Sequence, residues 1–266
     1  MNRPWLYCPD ILEFFHGNYT LEGLELEIKR AHPYLVELEE IAARKGTEVY
    51  EVFQGSEIGP FTVMAPSRQR YIDLLPDLGK TPDNYGAKSV VESIWGAAKS
   101  VVDSIREAWD YETLDADPEP TSASNETSVV HLGQLGAKTV LLTADVGPEG
   151  LGEAALYAAS IGRLMPPDLV QVPHHGSRRN VTPAVLDAWL GDALPEEGTR
   201  GVGYCSVAKG KAGKYPRRTV ANAFRRRGYP VHVTYGSAKG HRQSYPARPN
   251  WTGSIPLPFY LDVSEE

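Results

Sequence analysis

The spacing of apolar residues divides the chain into predicted helices and strands. Apolar residues recur at helical spacing over 20–45, where Pro33 should split or kink the helix because it cannot donate a backbone hydrogen bond. Further helices are predicted over 67–78, 88–110, 150–163, 183–190 and 217–227. Strands are predicted over 48–53, 61–65, 128–133, 139–145, 168–172, 201–207 and 231–235. Strands and helices alternate regularly after residue 128, so the pattern predicts a sheet with crossover helices.

One stretch interrupts this alternation. Residues 88–110 place their apolar side chains on one helical stripe, and the opposite face carries a net charge of −2. A negative face argues against an anionic membrane and favours packing on the domain or on a partner helix, as in a homo-oligomer. Residues 112–127 are acidic and poor in bulky apolar residues, which predicts a flexible linker. Residues 88–127 are therefore interpreted as a helix-plus-linker insertion in a single domain over 1–266.

Composition sets broad limits on the class of protein. The chain has 266 residues, 41% hydrophobic and 23% charged, which is typical of a globular protein. No apolar run approaches 18 residues, so no membrane-spanning helix is expected. The N-terminus lacks the features of a signal peptide, and Cys8 and Cys205 do not make a disulfide framework. A cytoplasmic location without membrane attachment is the expectation.

Charge is distributed unevenly along the chain. The net charge is −7, but residues 205–242 contain ten Lys and Arg and no Asp or Glu, which leaves −17 on the remainder. A basic block on an acidic protein indicates an anionic ligand. A solvated helix face followed by a basic loop would give the same composition, and the count alone does not separate the two interpretations.

Metal-competent side chains follow two of the predicted strands. Asp145 closes strand 139–145, and His174 and His175 follow strand 168–172 before Gly176-Ser177 turns the chain away. Carboxylate and imidazole at strand ends, where the backbone is rigid, suit a hydrolytic metal site. An Asp after a strand also serves as a helix cap or turn residue, and a His-His pair can belong to a hydrogen-bonded turn.

These segments resemble a known family. Val140-Leu-Leu-Thr-Ala-Asp145 and Asp168-Leu-Val-Gln-Val-Pro-His-His-Gly-Ser177 look like the metallo-β-lactamase-fold domain of the ComEC type, and Asn125-Glu-Thr-Ser128 is similar to the segment that precedes them there. The resemblance implies an α+β fold, a four-layered αββα sandwich, and a divalent metal, Zn or Mn, as one or two ions. It implies metal-activated water, Asp145 as bridging ligand, His174 or His175 as the second-metal ligand, and catalytic roles for Asp145 and His175.

The chain departs from that family at two points. The motif His-x-His-x-Asp-His is absent, and Tyr215 replaces the His of the family's Gly-His-Pro segment. The chain is therefore expected to form part of the sandwich, with an inserted amphipathic helix. The remaining ligands either come from an upstream segment or a partner chain, or are lacking. A partial sandwich would expose apolar sheet surface, so association or poor solubility is expected.

Basic and hydroxyl side chains near the His pair are the candidates for binding phosphate: Ser177, Arg178, Arg179, Lys211, Lys214 and Arg217. The Arg225–Arg227 run lies at the far end of the same predicted helix and has a structural alternative. His131 is expected to be packed within its strand.

Two functional hypotheses follow. The first is a metal-dependent hydrolase of phosphodiesters, in nucleic acid or a nucleotide. The second is a catalytically incomplete chain that binds nucleic acid or a partner protein through its basic region.

Overall fold

The fold is seen in a computed structural model that describes residues 1–78, 105–237, 239–240, 246 and 249–264. The helices of the described residues are α1 Cys8–Ile11, α2 Leu21–Ala31, α3 Pro33–Arg44, α4 Arg68–Leu74, α5 Ala123–Glu126, α6 Pro148–Ser160, α7 Pro183–Leu190 and α8 Arg218–Arg226. The strands are β1 Glu57–Ile58, β2 Phe61–Ala65, β3 Val130–Leu135, β4 Lys138–Leu142, β5 Leu169–Gln171, β6 Val202–Cys205, β7 Val231–Val233, β8 Lys239–Gly240 and β9 Thr252–Gly253. The prediction of mixed α and β structure is confirmed.

Strands β1 to β7 form one sheet in sequence order. The first four pair antiparallel, and β4 to β7 pair parallel through the crossover helices α6, α7 and α8. Parallel strands end at the same edge of a sheet. The topology therefore brings together the segments that follow β4, β5 and β6, which include the candidate metal ligands.

Helices α7 and α8 begin and end within one residue of their predicted bounds, whereas α6 begins two residues and ends three residues before its predicted bounds. Each of α6 and α7 has proline in its first turn, and the Thr182 hydroxyl accepts a hydrogen bond from the Val185 amide at the start of α7. Gly228, with φ of +82°, follows the end of α8. These helices need tertiary packing as well as caps, because isolated helices of this length are marginal in water.

The helix-covered face of the sheet holds the larger core. Leu132, Leu141, Val170 and Val231 are at most 2% exposed and form one cluster with the helices, so each contributes about 1.5–3 kcal/mol of burial. Their sequence neighbours point to the opposite face, because side chains alternate along a strand. There Val140, Leu142 and Leu169 are only half-buried.

A second cluster forms at the N-terminus. It contains buried residues of α1, α2 and α4 and of the two short 3₁₀ turns that flank α1, including Trp5, Ile11, Phe15 and Leu24. The predicted helix over 20–45 is two helices that meet at His32, immediately before Pro33. The proposed split at Pro33 is confirmed.

The strand predicted over 48–53 is wrong, and the strand that forms in this region is β1, Glu57–Ile58. The Asn2 side chain occupies the place of a neighbouring strand. Its amide nitrogen donates to the Val52 carbonyl at 2.9 Å, and its oxygen accepts from the Val52 amide at 2.7 Å. The Met1 amino group donates to the Tyr50 carbonyl at 2.8 Å. This segment is therefore held by the N-terminus rather than by a sheet.

The predicted insertion is described only in part, because residues 88–104 of the predicted 88–110 helix lie outside the described residues. Residues 105–110 are not helical: the Glu107 amide donates to the Leu261 carbonyl at 2.9 Å. The linker prediction over 112–127 is wrong at its end. Ala123–Glu126 is helical, and Glu126 is buried because its carboxylate accepts from the Gly150 amide at 2.8 Å and from Arg70 at 2.9 Å.

In the part of the chain that the structure describes, every helix is too short or too polar to span a lipid bilayer.

Candidate metal site at the sheet edge

Two turns at the carboxyl edge of the sheet lie side by side. One follows β4 and carries Asp145, and the other, Pro173–Gly176, follows β5 and carries both histidines. They are neighbours because β4 and β5 pair in parallel, with Leu141 opposite Val170. The His174 amide donates to the Ala144 carbonyl at 3.0 Å, so the two turns are also joined directly.

The backbone of both turns is strained. Ala144, His174 and His175 have φ values of +47°, +42° and +57°, a region that costs a residue with a side chain about 1–2 kcal/mol. Gly176 follows with φ of +80°, where a Cβ would lie 2.2 Å from the Pro216 Cβ. Strained residues persist where surrounding structure fixes them, and they concentrate at functional sites.

Asp145 and His174 present a pair of potential ligand atoms. The His174 Nδ1 lies 3.8 Å from the Asp145 Oδ1, and this nitrogen is buried without a hydrogen-bond partner among the described residues. A separation of 3.8 Å is too long for a hydrogen bond. Two ligand atoms on one tetrahedral Zn²⁺ lie about 3.3 Å apart, so a shared zinc ion would require the two atoms to approach by about 0.5 Å.

His175 has a defined tautomer. Its Nδ1 lies 2.5 Å from the Ser206 carbonyl oxygen, which can only accept, so Nδ1 carries the proton. In the neutral imidazole the other nitrogen, Nε2, then keeps its lone pair. A backbone carbonyl that fixes a ligating histidine in this way is typical of metal sites. The two imidazole centroids are 5.7 Å apart.

The described residues supply only part of a ligand set. Within that part of the chain, no group of three or more His, Cys, Asp and Glu is arranged to hold a metal ion. Cys205 lies near Gly176, but burial raises the pKa of its thiol to about 12, so no thiolate is offered. Asp145 and His174 fit a metal ion as two ligands, and His175 Nε2 is a further donor at the same edge.

The predicted phosphate-binding residues separate into two groups. The Arg217 amide donates to the Gly176 carbonyl at 2.9 Å, and Pro216 packs against Gly176, so the loop over 208–217 lies against the histidine turn. Lys211 and Lys214 are exposed on this loop, and the Arg217 guanidinium lies over the Tyr215 ring at 5.3 Å.

The residues directly after the histidines are arranged differently. Arg179 forms an ion pair with Glu119, and its amide donates to the Ser177 hydroxyl at 3.4 Å. Arg178 is exposed. An Arg whose charge is paired has less to offer a phosphate than one whose charge is not, so the exposed Lys211, Lys214 and Arg178 are the stronger candidates.

The structural interpretation of Arg225–Arg227 is supported. Arg226 and Arg227 are each 1% exposed and paired with carboxylates, and Arg225 pairs with Glu197. Three of the ten basic residues counted in the sequence are therefore used within the fold.

Two residues that the sequence did not single out support Asp145. The Gln171 side-chain oxygen accepts from the Thr143 and Ala144 amides, both at 3.1 Å. The Asn180 side-chain nitrogen donates to the Asp145 and Val146 carbonyls at 3.0 and 3.2 Å. The only sign of their role in the sequence is that each is a polar residue next to apolar residues, at or after the end of strand β5.

Comparisons with known proteins find no match: no protein family, curated protein or solved structure resembles the chain closely enough to be significant.

Proposed function

We propose that the chain contributes part of a metal-dependent hydrolase site that acts on phosphodiesters in nucleic acid or nucleotides. One observation carries the proposal: the buried, unpaired His174 Nδ1 faces the Asp145 carboxylate at a strained turn. The resemblance of residues 140–177 to the ComEC-type metallo-β-lactamase fold supports the same class, with the sheet as part of an αββα sandwich.

The side chains would divide the work as follows. Asp145 and His174 hold a Zn or Mn ion, which when bound makes water a better nucleophile at neutral pH. His175 Nε2, with its lone pair fixed by the Ser206 carbonyl, accepts a proton at this edge or joins the ligands. Lys211, Lys214 and Arg217 neutralise the phosphate charge without reading bases.

The missing ligands belong to the same proposal. A hydrolytic Zn site uses three protein ligands and one open position. We propose that further ligands come from another polypeptide segment or a partner chain. The half-buried side chains of Val140, Leu142 and Leu169 leave apolar sheet surface for such a segment to cover.

A second candidate function is binding without catalysis. It is favoured by the incomplete ligand set together with the exposed lysines of the 208–217 loop. Such a chain would bind nucleic acid through its phosphates, and the affinity would fall steeply with salt.

Zn²⁺ and Mn²⁺ titration, combined with hydrolysis of bis(p-nitrophenyl) phosphate and an oligonucleotide, tests the first candidate. We expect metal binding that Asp145→Ala removes and Asp192→Ala, an exposed carboxylate elsewhere, retains, with metal-dependent turnover where another segment or an associated chain supplies the remaining ligands. A folded protein that binds neither ion and hydrolyses neither substrate would overturn the hydrolase proposal. Salt-dependent oligonucleotide binding lost in Lys211→Glu/Lys214→Glu would then support the second.

A further inference from the structure

Asp145 lies between two amide side chains that contact the backbone on either side of it. Gln171 is the last residue of β5, and its side-chain oxygen accepts both the Thr143 and the Ala144 amides at 3.1 Å. Asn180 follows the histidine turn, and its nitrogen donates to the carbonyls of Asp145 and Val146 at 3.0 and 3.2 Å. Four hydrogen bonds from two side chains therefore hold one four-residue turn.

This turn needs external support. Ala144 has a φ of +47°, which costs about 1–2 kcal/mol for a residue with a Cβ, so the free turn would favour a different backbone conformation. A change in φ at Ala144 would redirect the Asp145 side chain that follows it. Other contacts of the turn are two backbone hydrogen bonds, from the Val146 amide to the Thr143 carbonyl at 3.2 Å and from the His174 amide to the Ala144 carbonyl, and the burial of the Val146 side chain in the core.

The two amides also tie Asp145 to the histidine turn. Gln171 immediately precedes the segment that leads to His174, and the Thr143 hydroxyl donates to the Gln171 carbonyl at 2.9 Å. Asn180 is 2% exposed, and its backbone N–H donates to the Ser177 carbonyl at 3.3 Å. The Gln171 and Asn180 side chains thus belong to the segment that carries the histidines, and both form hydrogen bonds with the turn that carries Asp145.

We propose that Gln171 and Asn180 are positioning residues that set the distance between the Asp145 carboxylate and the His174 imidazole, and thereby the metal affinity of the sheet edge. The inference rests on the proposed metal site. Outer residues that orient ligands commonly change metal affinity by about 10–100-fold when they are replaced.

A buried asparagine elsewhere provides a matched control. Asn222 is fully buried, and its nitrogen donates to the Glu107 carboxylate at 2.7 Å and to the Tyr260 carbonyl at 2.8 Å. It makes the same kind of double donation as Asn180, but it lies on α8 within the ion-pair cluster. Replacing it should lower the free energy of unfolding and leave the sheet edge unchanged.

The test is calorimetric titration of the full chain with Zn²⁺, with circular dichroism to confirm folding. We expect Asn180→Ala and Gln171→Met to weaken Zn²⁺ binding by about tenfold or more. Gln171→Glu keeps an oxygen that can accept both amides, so it should bind Zn²⁺ at least as tightly as the unmodified protein. Asn222→Ala should lose stability and keep the unmodified affinity.

Each result decides a separate question. Unchanged Zn²⁺ affinity in both Asn180→Ala and Gln171→Met would overturn the positioning role while leaving the metal site in place. An equal loss of affinity in Asn222→Ala would overturn it too, since the effect would then follow stability. If the unmodified protein binds no Zn²⁺, the proposed metal site fails, and the positioning role fails with it.

Discussion

The C-terminal end of α8 and the carboxyl edge of the sheet both concentrate ionisable side chains, but the two regions treat them differently. At the end of α8 the Arg226 guanidinium and the Glu107 carboxylate are essentially fully buried and lie 2.8 Å apart. At the sheet edge the His174 side chain is 34% exposed and Asp145 is 50% exposed, and their nearest polar atoms are 3.8 Å apart.

The α8 cluster is saturated with hydrogen bonds. Arg226 also donates to the carbonyls of Trp109 and Tyr111, and Asn222 donates to the same Glu107 carboxylate. Arg227 pairs with Asp187 at 2.7 Å and with Glu112 at 2.9 Å. Buried charges persist only when they are paired in this way. This region therefore fastens residues 105–112 to α8 through buried ion pairs and hydrogen bonds.

The sheet edge is left unsaturated by comparison. The buried His174 Nδ1 has no hydrogen-bond partner among the described residues, and three residues in the adjoining turns have positive φ. A buried polar atom without a partner costs about 1–3 kcal/mol. A buried atom without a partner does not mark a site by itself, since Arg70 Nε and Glu153 Oε2 also lack hydrogen-bond partners among the described residues. At the sheet edge the unpartnered atom coincides with three positive φ values, and this combination rather than charge density marks the candidate site.

The largest predicted effect falls on the saturated region. Glu107→Ala leaves Arg226 buried without its carboxylate, so we expect a loss of about 3–5 kcal/mol in the free energy of unfolding. Urea denaturation measures it. The control is Glu197→Ala, which removes the exposed partner of Arg225 and should cost less than about 1 kcal/mol. Equal losses in the two variants would erase the contrast between buried and surface pairs.

A somewhat smaller effect is expected where the basic loop meets the histidine turn. In Gly176→Ala the new Cβ meets Pro216 and occupies a left-handed conformation, which together should cost about 2–4 kcal/mol. Gly213→Ala has the same handedness, φ of +88°, with nothing within 4 Å, so it should show the conformational cost alone. Thermal unfolding of both variants separates the two terms, and equal shifts would argue against the contact with Pro216.

The strain at the sheet edge gives a smaller effect of opposite sign. Ala144→Gly removes the Cβ from a residue with φ of +47°, so we expect stability to rise by about 0.5–1 kcal/mol. Urea denaturation again provides the value. A destabilised variant would mean that the turn is not strained at Ala144.

The smallest effect is a dependence of stability on pH at His131. Burial lowers the pKa of the His131 imidazole, although a backbone hydrogen bond at Val129 partly opposes it. A lowered folded pKa makes the stabilising contribution complete above the unfolded value near 6.5, and the contribution is lost as the pH falls below that value. His131→Phe should therefore lose less stability than the unmodified protein between about pH 7 and 5. Parallel slopes would contradict this assignment.

Sequence periodicity predicted the elements whose apolar face is buried. Helix α7 occupies the predicted residues 183–190, strands β5 to β7 fall within their predicted ranges, and β4 begins one residue before its predicted range. The strand over 48–53 was wrong because Asn2, about fifty residues away, satisfies the Val52 backbone. Periodicity carries no information about such a distant side-chain partner.

The sequence likewise predicted only part of the candidate site. Strand ends placed Asp145 and His174 together, because parallel strands share an edge. The roles of Gln171 and Asn180 depend on the conformation of the Ala144 turn, which the sequence does not specify. The count of Lys and Arg likewise gave no sign that Arg226 is paired with Glu107, which lies 119 positions earlier.

X-ray absorption spectroscopy of the Zn²⁺-loaded protein tests the ligand role of the sheet edge most directly. We predict nitrogen and oxygen ligands at about 2.0–2.1 Å, with scattering typical of imidazole that decreases by one ring in His174→Ala. A spectrum of the hydrated ion in the unmodified protein, or an unchanged imidazole contribution in His174→Ala, would contradict the assignment of His174 and Asp145 as metal ligands.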